Sequence, residues 1–295
     1  MTRRNKDALV KAIFQLAAGL CIAVLGLIMI FLFVEGIPVL QFVSLDDFIF
    51  GKYWYPTSDP ADFGIFPMIV GSLVVTGLSS CIAIPLGIMT SIYLAELAGP
   101  RMRAIVKPLV EMLQALPSVV IGFFGMVIVA PWLQETFDIA TGLNILNASV
   151  MLAFMAVPTI TSIAEDAIYS VSNELREASL ALGATKWQTI KNVVLPAALP
   201  GMSTAVILGM ARSIGETMVV LMVAGGAAMI PNSIFSPVRP MPSSIAAEMA
   251  EAPFRSEHYH ALFATGLVLF LFTLMFNALA AYISEKKKQV GASTL

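Results

Sequence analysis

The stretch SNELREASLALGATKWQTIKNVVLP occupies positions 172–196 and separates two long apolar stretches of the chain. Charged residues are costly in a bilayer, so we expect this polar segment to project into water. Ser172 or Asn173 can cap a first short helix, and Gly183 stands where a left-handed residue would end it. A second helix is predicted over Lys186–Val194. Two short helices carrying small residues and leucines are typical of a segment that docks in a groove of another protein.

The same stretch contains a spaced motif. Glu177-Ala178-Ser179, Gly183 four positions after Ser179, and Val193-Val194-Leu195-Pro196 after nine residues resemble the EAA loop of importer-type ABC transporter permeases, E-A-A-x3-G-x9-I-x-L-P. Serine replaces the second alanine and valine replaces isoleucine. We expect Pro196 to close the second helix. By this resemblance, the residues that couple the permease to an ATPase are Glu174, Glu177, Ala178, Ser179, Gly183, Ala184 and Pro196. The alternative is an ordinary amphipathic hairpin at the membrane interface.

The composition places the chain in a membrane. Of its 295 residues, 58% are hydrophobic and 12% are charged, whereas soluble domains have about 25% charged residues. Six apolar stretches reach the length of about 20 residues that one crossing needs. They are Ala12–Val34, Pro67–Leu94, Leu113–Leu133, Ala148–Ile168, Pro200–Ala224 and Ala261–Ile283. We therefore predict an all-α polytopic fold, with Cys21 and Cys81 as buried small hydrophobic residues and not as a disulfide.

Basic residues alternate between the connecting segments. Four precede the first span, three each lie in the second and fourth connections, and three follow the last span, whereas the first, third and fifth connections have one, none and two. By the positive-inside rule, both termini and the 172–196 segment are cytoplasmic, in a bacterial inner membrane. The first span is too long for the apolar core of a cleaved signal peptide, so we interpret it as a retained anchor.

The resemblance also implies an organisation of the chain. Residues 1–66 would form a tail, an extra first helix and a periplasmic loop. Residues 67–285 would form the permease domain, with the type I importer (MetI-like) fold and cytoplasmic coupling helices at 172–196, and residues 286–295 a cytoplasmic tail.

The fifth span carries charges within an apolar stretch. Arg212 and Glu216 are four residues apart, so on one helix they would share a face and could pair. Because a guanidinium group suits an oxyanion, Arg212 is a candidate for lining a substrate path, with Glu216, Ser213 and Thr217 beside it. Two further hypotheses remain: an ion pair that fixes helix packing, and one that gates the path.

Other segments carry weaker signals. Tyr53-Trp54-Tyr55 could anchor the first loop at the headgroup level or contact a periplasmic partner, and anchoring is favoured. His258 and His260 lack ligand spacing and are interpreted as solvated. Glu165-Asp166 lies near the cytoplasmic end of a span, where water can reach it, and is assigned no chemistry. A short helix is predicted near Ser244–Met249.

The chain lacks catalytic and cofactor motifs. It has no G-x-x-x-x-G-K-[ST] loop, no Cys/His metal cluster and no nucleophile–base arrangement, so we expect no cofactor, no metal and no enzymatic activity. A transporter built on this chain would need its ATPase from another polypeptide.

Three segments resemble phosphate-specific permeases, more the PstC type than its PstA partner. They are Trp54–Leu73, Leu116–Gly125 and the A-R-x-x-G-E-T pattern that contains Arg212. This resemblance implies an ATP-driven importer of inorganic phosphate. It also implies a homologous PstA-type permease, two ATPase subunits and a periplasmic phosphate-binding protein as partners. Alternatives are a permease for sulfate or molybdate and, from another class, an anion channel without ATP drive.

Overall fold

The computed structural model describes residues 3–292, with side chains over residues 11–278 and at 281 and 282. Residues 293–295 of the predicted cytoplasmic tail lie outside the described residues. The helices are α1 Arg3–Gly36, α2 Leu45–Phe50, α3 Phe66–Ile92, α4 Pro100–Gln114, α5 Ser118–Phe124, α6 Ala130–Phe137, α7 Ile145–Tyr169, α8 Asn173–Ala181, α9 Lys186–Thr189, α10 Leu195–Ile214, α11 Met218–Val223, α12 Met241–Glu248 and α13 Glu257–Ala292. Strands β1 Trp54–Tyr55 and β2 Asp62–Phe63 pair antiparallel.

Short irregular turns join some of these helices. Three π-helical turns, Tyr93–Leu97, Gly125–Val129 and Ile190–Val194, continue α3, link α5 to α6 and link α9 to α10. A 3-10 turn, Ile37–Gln41, follows α1. Single π turns of this kind occur frequently at functional sites.

Six helical stretches of the described chain are long and apolar enough to cross a membrane. They are Lys11–Gln41, Phe66–Leu97, Ser118–Phe137, Ile145–Tyr169, Lys186–Ile214 and Glu257–Ala278. The predicted all-α polytopic architecture with six spans is confirmed.

The centre of the bundle is formed by α3, α7 and α10. Two glycines, Gly87 of α3 and Gly209 of α10, lie against the side chain of Ile160 in α7. The hydroxyl of Thr161 donates to the carbonyl oxygen of Gly87 at 3.3 Å. Small residues allow helices in a membrane to approach closely, so this central group is tightly packed.

The two ends of the bundle carry different structures. The α8–α9 hairpin defines one end, which we call the hairpin side. The opposite end, the far side, is formed by residues 37–65 and 225–256. There Phe48, Trp54 and Phe63 are buried in one cluster with Met241 and Leu262. The first loop is therefore a folded cap on the bundle.

The helix α1 lies at the edge of the bundle. It runs antiparallel to α13, with Phe31 edge-on to Phe263 and Gly36 against the backbone of Ala264. Most of its described side chains are exposed. Cys21 and Cys81 are free, as predicted, but both are exposed and not buried.

The fifth span begins earlier than predicted. It starts at Lys186, not at Pro200, because the π turn at Ile190–Val194 leads directly into α10. Pro196 occupies the first turn of α10. The chain is helical on both sides of Pro196, since the π turn ends at Val194 and the Leu195 N–H donates to the Ile190 carbonyl. The prediction that Pro196 closes the second coupling helix is therefore wrong.

The fifth span also breaks inside the bundle instead of running on to Ala224. The helix α10 stops at Ile214, Gly215–Thr217 are non-helical, and α11 begins at Met218. Two interior residues of α7 mark the depth of the break. Ile160 lies against α10 one turn before Arg212, and Met151 lies beside α11. The break thus lies between these two levels, at a depth where irregular backbone requires protein or a water-filled cavity around it.

Candidate functional site

The hairpin has the turn that the motif predicts. Gly183 has a φ of +85°, its N–H donates to the Leu180 carbonyl at 2.9 Å, and the Ala184 N–H donates to the Ser179 carbonyl at 3.2 Å. Thr185 then caps α9 through a reciprocal pair of hydrogen bonds with Gln188. Ser172 occupies the N-cap position of α8, although its side chain makes no capping hydrogen bond. The direction of the chain between α8 and α9 is therefore set by a left-handed glycine.

The outer surface of the hairpin is apolar at its tip. Leu182 is 89% exposed and Trp187 is 61% exposed. The motif residues Glu174, Glu177, Ala178 and Pro196 are exposed, and Ala184 is half-buried. Large exposed leucine and tryptophan side chains beside small residues are typical of a surface that a protein partner covers.

Ser179 has a different role from its neighbours in the motif. Its hydroxyl lies 2.9 Å from that of Thr189, the buried last residue of α9, so the two form a hydrogen bond between α8 and α9. Ser179 stands where the family pattern has alanine. The substitution therefore adds a bond within the hairpin.

Arg176 attaches the hairpin to the bundle. Its Nη2 lies 2.8 Å from Glu96 Oε1 in the π turn that ends α3, and also donates to the Ile168 carbonyl at 3.0 Å. Its Nη1 donates to the Val171 carbonyl. A single guanidinium thus joins α8 to the ends of α3 and α7.

A second ionic cluster holds α4 against the end of α7. Glu165, whose side chain is 1% exposed, pairs with Arg103 and, at 2.6 Å, with Lys107. Lys107 also lies 2.6 Å from Asp166, and the Arg103 guanidinium stacks on the ring of Tyr169. The expectation that water reaches Glu165 is wrong, because α4 covers it, whereas the side chain of Asp166 is 64% exposed.

Arg212 lies in the last turn of α10, next to the break. Its side chain is half-buried, and in the described part of the chain its Nε is buried without a hydrogen-bond partner. Leu208, one turn earlier on the same face, is 44% exposed, and Gly215 is exposed. This face of α10 is therefore only partly covered by the helices that the structure describes. A guanidinium with a free buried donor is suited to bind an oxyanion.

The expected pair between Arg212 and Glu216 is not formed among the described residues. Because α10 ends at Ile214, the two side chains no longer share a helix face. Glu216 Oε1 instead accepts from the Val219 N–H at 3.4 Å, at the start of α11.

The other two predicted path residues divide between the break and the core. Thr217 lies in the break, and its hydroxyl donates to the Gly215 carbonyl at 3.4 Å. Ser213 is buried and donates to the Gly209 carbonyl at 3.2 Å. Arg212, Glu216 and Thr217 therefore border the break, whereas Ser213 belongs to the packed side of α10.

The far side carries a cluster centred on Glu248. The Trp54 indole N–H donates to Glu248 Oε2 at 2.9 Å, His258 Nε2 lies 2.8 Å from the same oxygen, and Arg239 pairs with the other oxygen. The prediction of an anchoring role for Trp54 and of a solvated His258 is wrong, since both are buried or nearly so in this cluster.

His260 is also bonded. Its Nδ1 lies 2.7 Å from the carbonyl oxygen of Glu35, so it links α13 to the end of α1. The interpretation of His260 as a solvated loop residue is therefore wrong. The predicted short helix on this side is present as α12.

The broken fifth span, the hairpin and the extra first helix can be compared with known proteins. Residues 83–289 match the family described as the binding-protein-dependent transport system inner membrane component. The chain belongs to this family. It is therefore a multi-pass inner membrane component of a transport system, and not itself an enzyme.

The alignments with individual relatives extend over almost the whole permease. It is 38% identical to the probable ABC transporter permease protein YqgH of Bacillus subtilis, across 94% of this chain and 88% of that protein. It is 32% identical to the phosphate transport system permease protein PstC of Mesorhizobium japonicum, across 94% and 89%. A crystal structure of a bacterial ABC transporter that imports the polysaccharide alginate superimposes with a TM-score of 0.67 over 96% of each chain, at 15% identity. This likeness supports the predicted fold.

Two features of the permease escaped sequence reasoning. Glu96 and Arg176 lie 80 positions apart, and no motif or periodic spacing in the sequence indicates that they pair. No feature of the sequence distinguishes Thr189 from the other residues of an amphipathic helix. The break after Ile214 had a signal in the Gly215-Glu216-Thr217 sequence, which combines a helix-ending glycine with a charge in an apolar span.

Proposed function

We propose that the chain is the membrane-spanning permease subunit of an ATP-driven, binding-protein-dependent importer of inorganic phosphate. The observation that carries this proposal is Arg212, a half-buried arginine with an unpaired donor beside a helix break in the middle of the bundle. Transporter binding sites commonly lie at such interrupted helices near the membrane midplane. The names of the PstC relatives point to phosphate as the oxyanion.

The uncovered face of α10 indicates where the substrate would pass. Leu208 and Gly215 are exposed, and Arg212 lies on the same side of α10 as Leu208. In our proposal, a homologous permease of the PstA type closes this face, and the path runs between the two chains. A periplasmic phosphate-binding protein would deliver the anion at the far side, where the folded cap lies.

The hairpin is the proposed site for two ATPase subunits to act on the pair of permeases, one on each. Leu182 and Trp187 would enter a groove of the ATPase, and Gly183 would set the angle at which they are presented. Charge distribution in the loops supports a cytoplasmic hairpin side and two cytoplasmic termini. Labelling of a single cysteine placed at Leu182 with a membrane-impermeant thiol reagent tests this orientation, after Cys21 and Cys81 have been replaced.

Arg212 would hold phosphate in transit by charge-assisted hydrogen bonds. Since Glu216 caps α11 and does not neutralise Arg212, the guanidinium is available to the anion. A carboxylate that lies at the same break would limit how tightly the anion binds, because like charges repel. Such a site can release what it takes up.

The test is uptake of radiolabelled phosphate, sulfate and molybdate in cells that lack only this chain, with the wild-type or a variant chain restored. Arg212→Ala should reduce phosphate uptake about tenfold or more, because a charge-assisted hydrogen bond is worth about 1.5–3 kcal/mol. Arg101→Ala, at an exposed arginine of α4, is the matched control. Uptake of sulfate or molybdate alone would contradict the substrate assignment. Loss of ATPase association in Arg212→Ala would favour a packing role.

A further inference from the structure

The guanidinium of Arg176 makes an unusually complete set of contacts at the base of the hairpin. Nε and Nη2 both donate to Glu96 Oε1, at 3.2 and 2.8 Å. Nη2 and Nη1 donate to the carbonyl oxygens of Ile168 and Val171. Nη1 also lies 3.3 Å from the side-chain oxygen of Asn173. The five contacts place the arginine in one geometry, since the donors of a guanidinium are fixed in a plane.

These acceptors belong to the ends of two packed membrane helices. Ile168 lies in the last turn of α7 and Val171 follows that helix by two residues, so Arg176 donates to two carbonyl groups at the end of α7. The Ile168 carbonyl also accepts the Val171 N–H at 3.3 Å. Glu96 lies in the π turn that ends α3. The helices α3 and α7 are themselves joined by the close contact of Gly87 with Ile160 and by the Thr161 hydroxyl. A force on Arg176 therefore acts on α3 and α7 together.

Burial makes this connection stronger than a surface ion pair. The side chain of Glu96 is 9% exposed and that of Arg176 is 18% exposed. Water screens such a pair only partly, and neither charge can be hydrated without moving. In the described part of the chain, Arg176 is also the one side chain of α8 that makes a polar contact to residues that precede the hairpin.

The hairpin has a second connection of a different kind. Through α9 and the π turn it continues as one helix into α10, which carries Arg212. The Ser179–Thr189 hydrogen bond ties α8 to this continuous helix. The hairpin thus joins α10 through the main chain, and α3 and α7 through Arg176.

We propose that Arg176 is a positioning residue that transmits movement of the hairpin to the α3–α7 pair, so that these helices move with α10 during transport. This inference rests on the proposed function of the hairpin as the site where the ATPase acts. Without Arg176, displacement of the hairpin reaches α3 and α7 only through their packing against α10. ATP hydrolysis then continues while less substrate crosses per ATP.

The experiment uses the complete transporter in proteoliposomes, with ATP hydrolysis and phosphate uptake measured in the same sample. Arg176→Met removes the guanidinium and keeps an apolar stem. Glu96→Gln keeps an acceptor for Arg176 and removes only the charge. Arg101→Met is the matched control, because Arg101 is an exposed arginine on the same side of the bundle, without a partner among the described residues. The amount of ATPase that copurifies is recorded for every variant.

We expect phosphate moved per ATP to fall about tenfold in Arg176→Met, within the range of coupling between distant sites, with ATPase copurification unchanged. Glu96→Gln should lose less, and Arg101→Met nothing. The double variant Arg176→Met/Glu96→Met should be no worse than Arg176→Met alone, since the two residues act as one unit.

Two results would overturn the inference. One is an unchanged ratio of phosphate to ATP in Arg176→Met. The other is a loss of ATPase copurification in Arg176→Met that accounts for the whole loss of uptake, which is what a purely structural role gives. Either result leaves the proposed function intact, because the wild-type complex still transports phosphate. A wild-type complex that moves no phosphate would instead refute the proposed function.

Discussion

Substitution of Gly183 by valine tests the link between the turn of the hairpin and transport. Gly183 has a φ of +85°, which a residue with a Cβ adopts only under strain. A Cβ added at this position would meet no atom within 4 Å. The cost of the substitution therefore comes from the backbone alone. It amounts to about 1–2 kcal/mol for an L-residue, and valine lies at the upper end because it is β-branched.

This strain has a defined structural consequence. If the valine relaxes to a negative φ, the hydrogen bonds from Gly183 N–H to Leu180 and from Ala184 N–H to Ser179 are lost. The direction of α9 relative to α8 then changes, and Leu182 no longer faces its partner as before. A cost of 1–2 kcal/mol corresponds to about a 5- to 30-fold loss of productive hairpin conformation. We expect phosphate uptake to fall by that factor while the amount of permease in the membrane stays constant.

The assay compares valine, alanine and asparagine at position 183. Asparagine visits the left-handed region more readily than other residues with a side chain, so it is the conservative variant. Phosphate uptake and the amount of copurified ATPase should decrease in the order glycine, asparagine, alanine, valine. Equal losses for asparagine and valine would show that side-chain bulk, and not backbone conformation, is decisive. Normal uptake with valine would remove the hairpin from coupling altogether.

Lys107 should keep its contribution to the ionic cluster between α4 and α7 throughout the neutral pH range. Burial lowers the pKa of Lys107, but its hydrogen bonds to Asp166 and Glu165 and their charges outweigh this, so the pKa is raised above its ordinary value of 10.5. The stabilisation by Lys107 is complete below the ordinary pKa and is lost as pH rises through the raised one, so its loss should lower the melting temperature in detergent only above pH 10.5. Glu165→Gln should cost about 1–3 kcal/mol in the same measurement, and an unchanged melting temperature would contradict its role. Thr189→Val leaves the Ser179 hydroxyl unpaired and should weaken ATPase binding, measured by copurification, by about 0.5–1.5 kcal/mol. The double variant Ser179→Ala/Thr189→Val should recover part of this loss. An equal loss in the double variant would refute the pairing.

Several features of the permease followed from local rules. The left-handed Gly183 and the existence of six spans depend on chain-local properties, namely a residue without a Cβ and runs of apolar side chains. Wherever a property depended on how one helix ends, prediction was less successful. The fifth span shows this: its helix passes through Pro196 and stops at Ile214, where the N–H groups of Gly215 and Glu216 both donate to the Ser213 carbonyl.

Contacts between distant positions were invisible to sequence reasoning. His258, Trp54 and Arg239 converge on Glu248 only because the first loop folds onto α12 and α13. Each of these residues, taken alone, had a plausible solvated or anchoring interpretation.

By itself, the sequence determined that the chain spans a membrane six times, that a polar hairpin with a left-handed glycine leaves the bundle, and that an arginine lies in the fifth span. These properties arise from hydrophobicity, length and backbone freedom, which act within a few residues. Only the tertiary structure decided that Arg212 and Glu216 lie beside a break without pairing, and that Arg176 joins the hairpin to α3 and α7. Those outcomes depend on where the helices end and which side chains meet in space, and burial gives such meetings their energy.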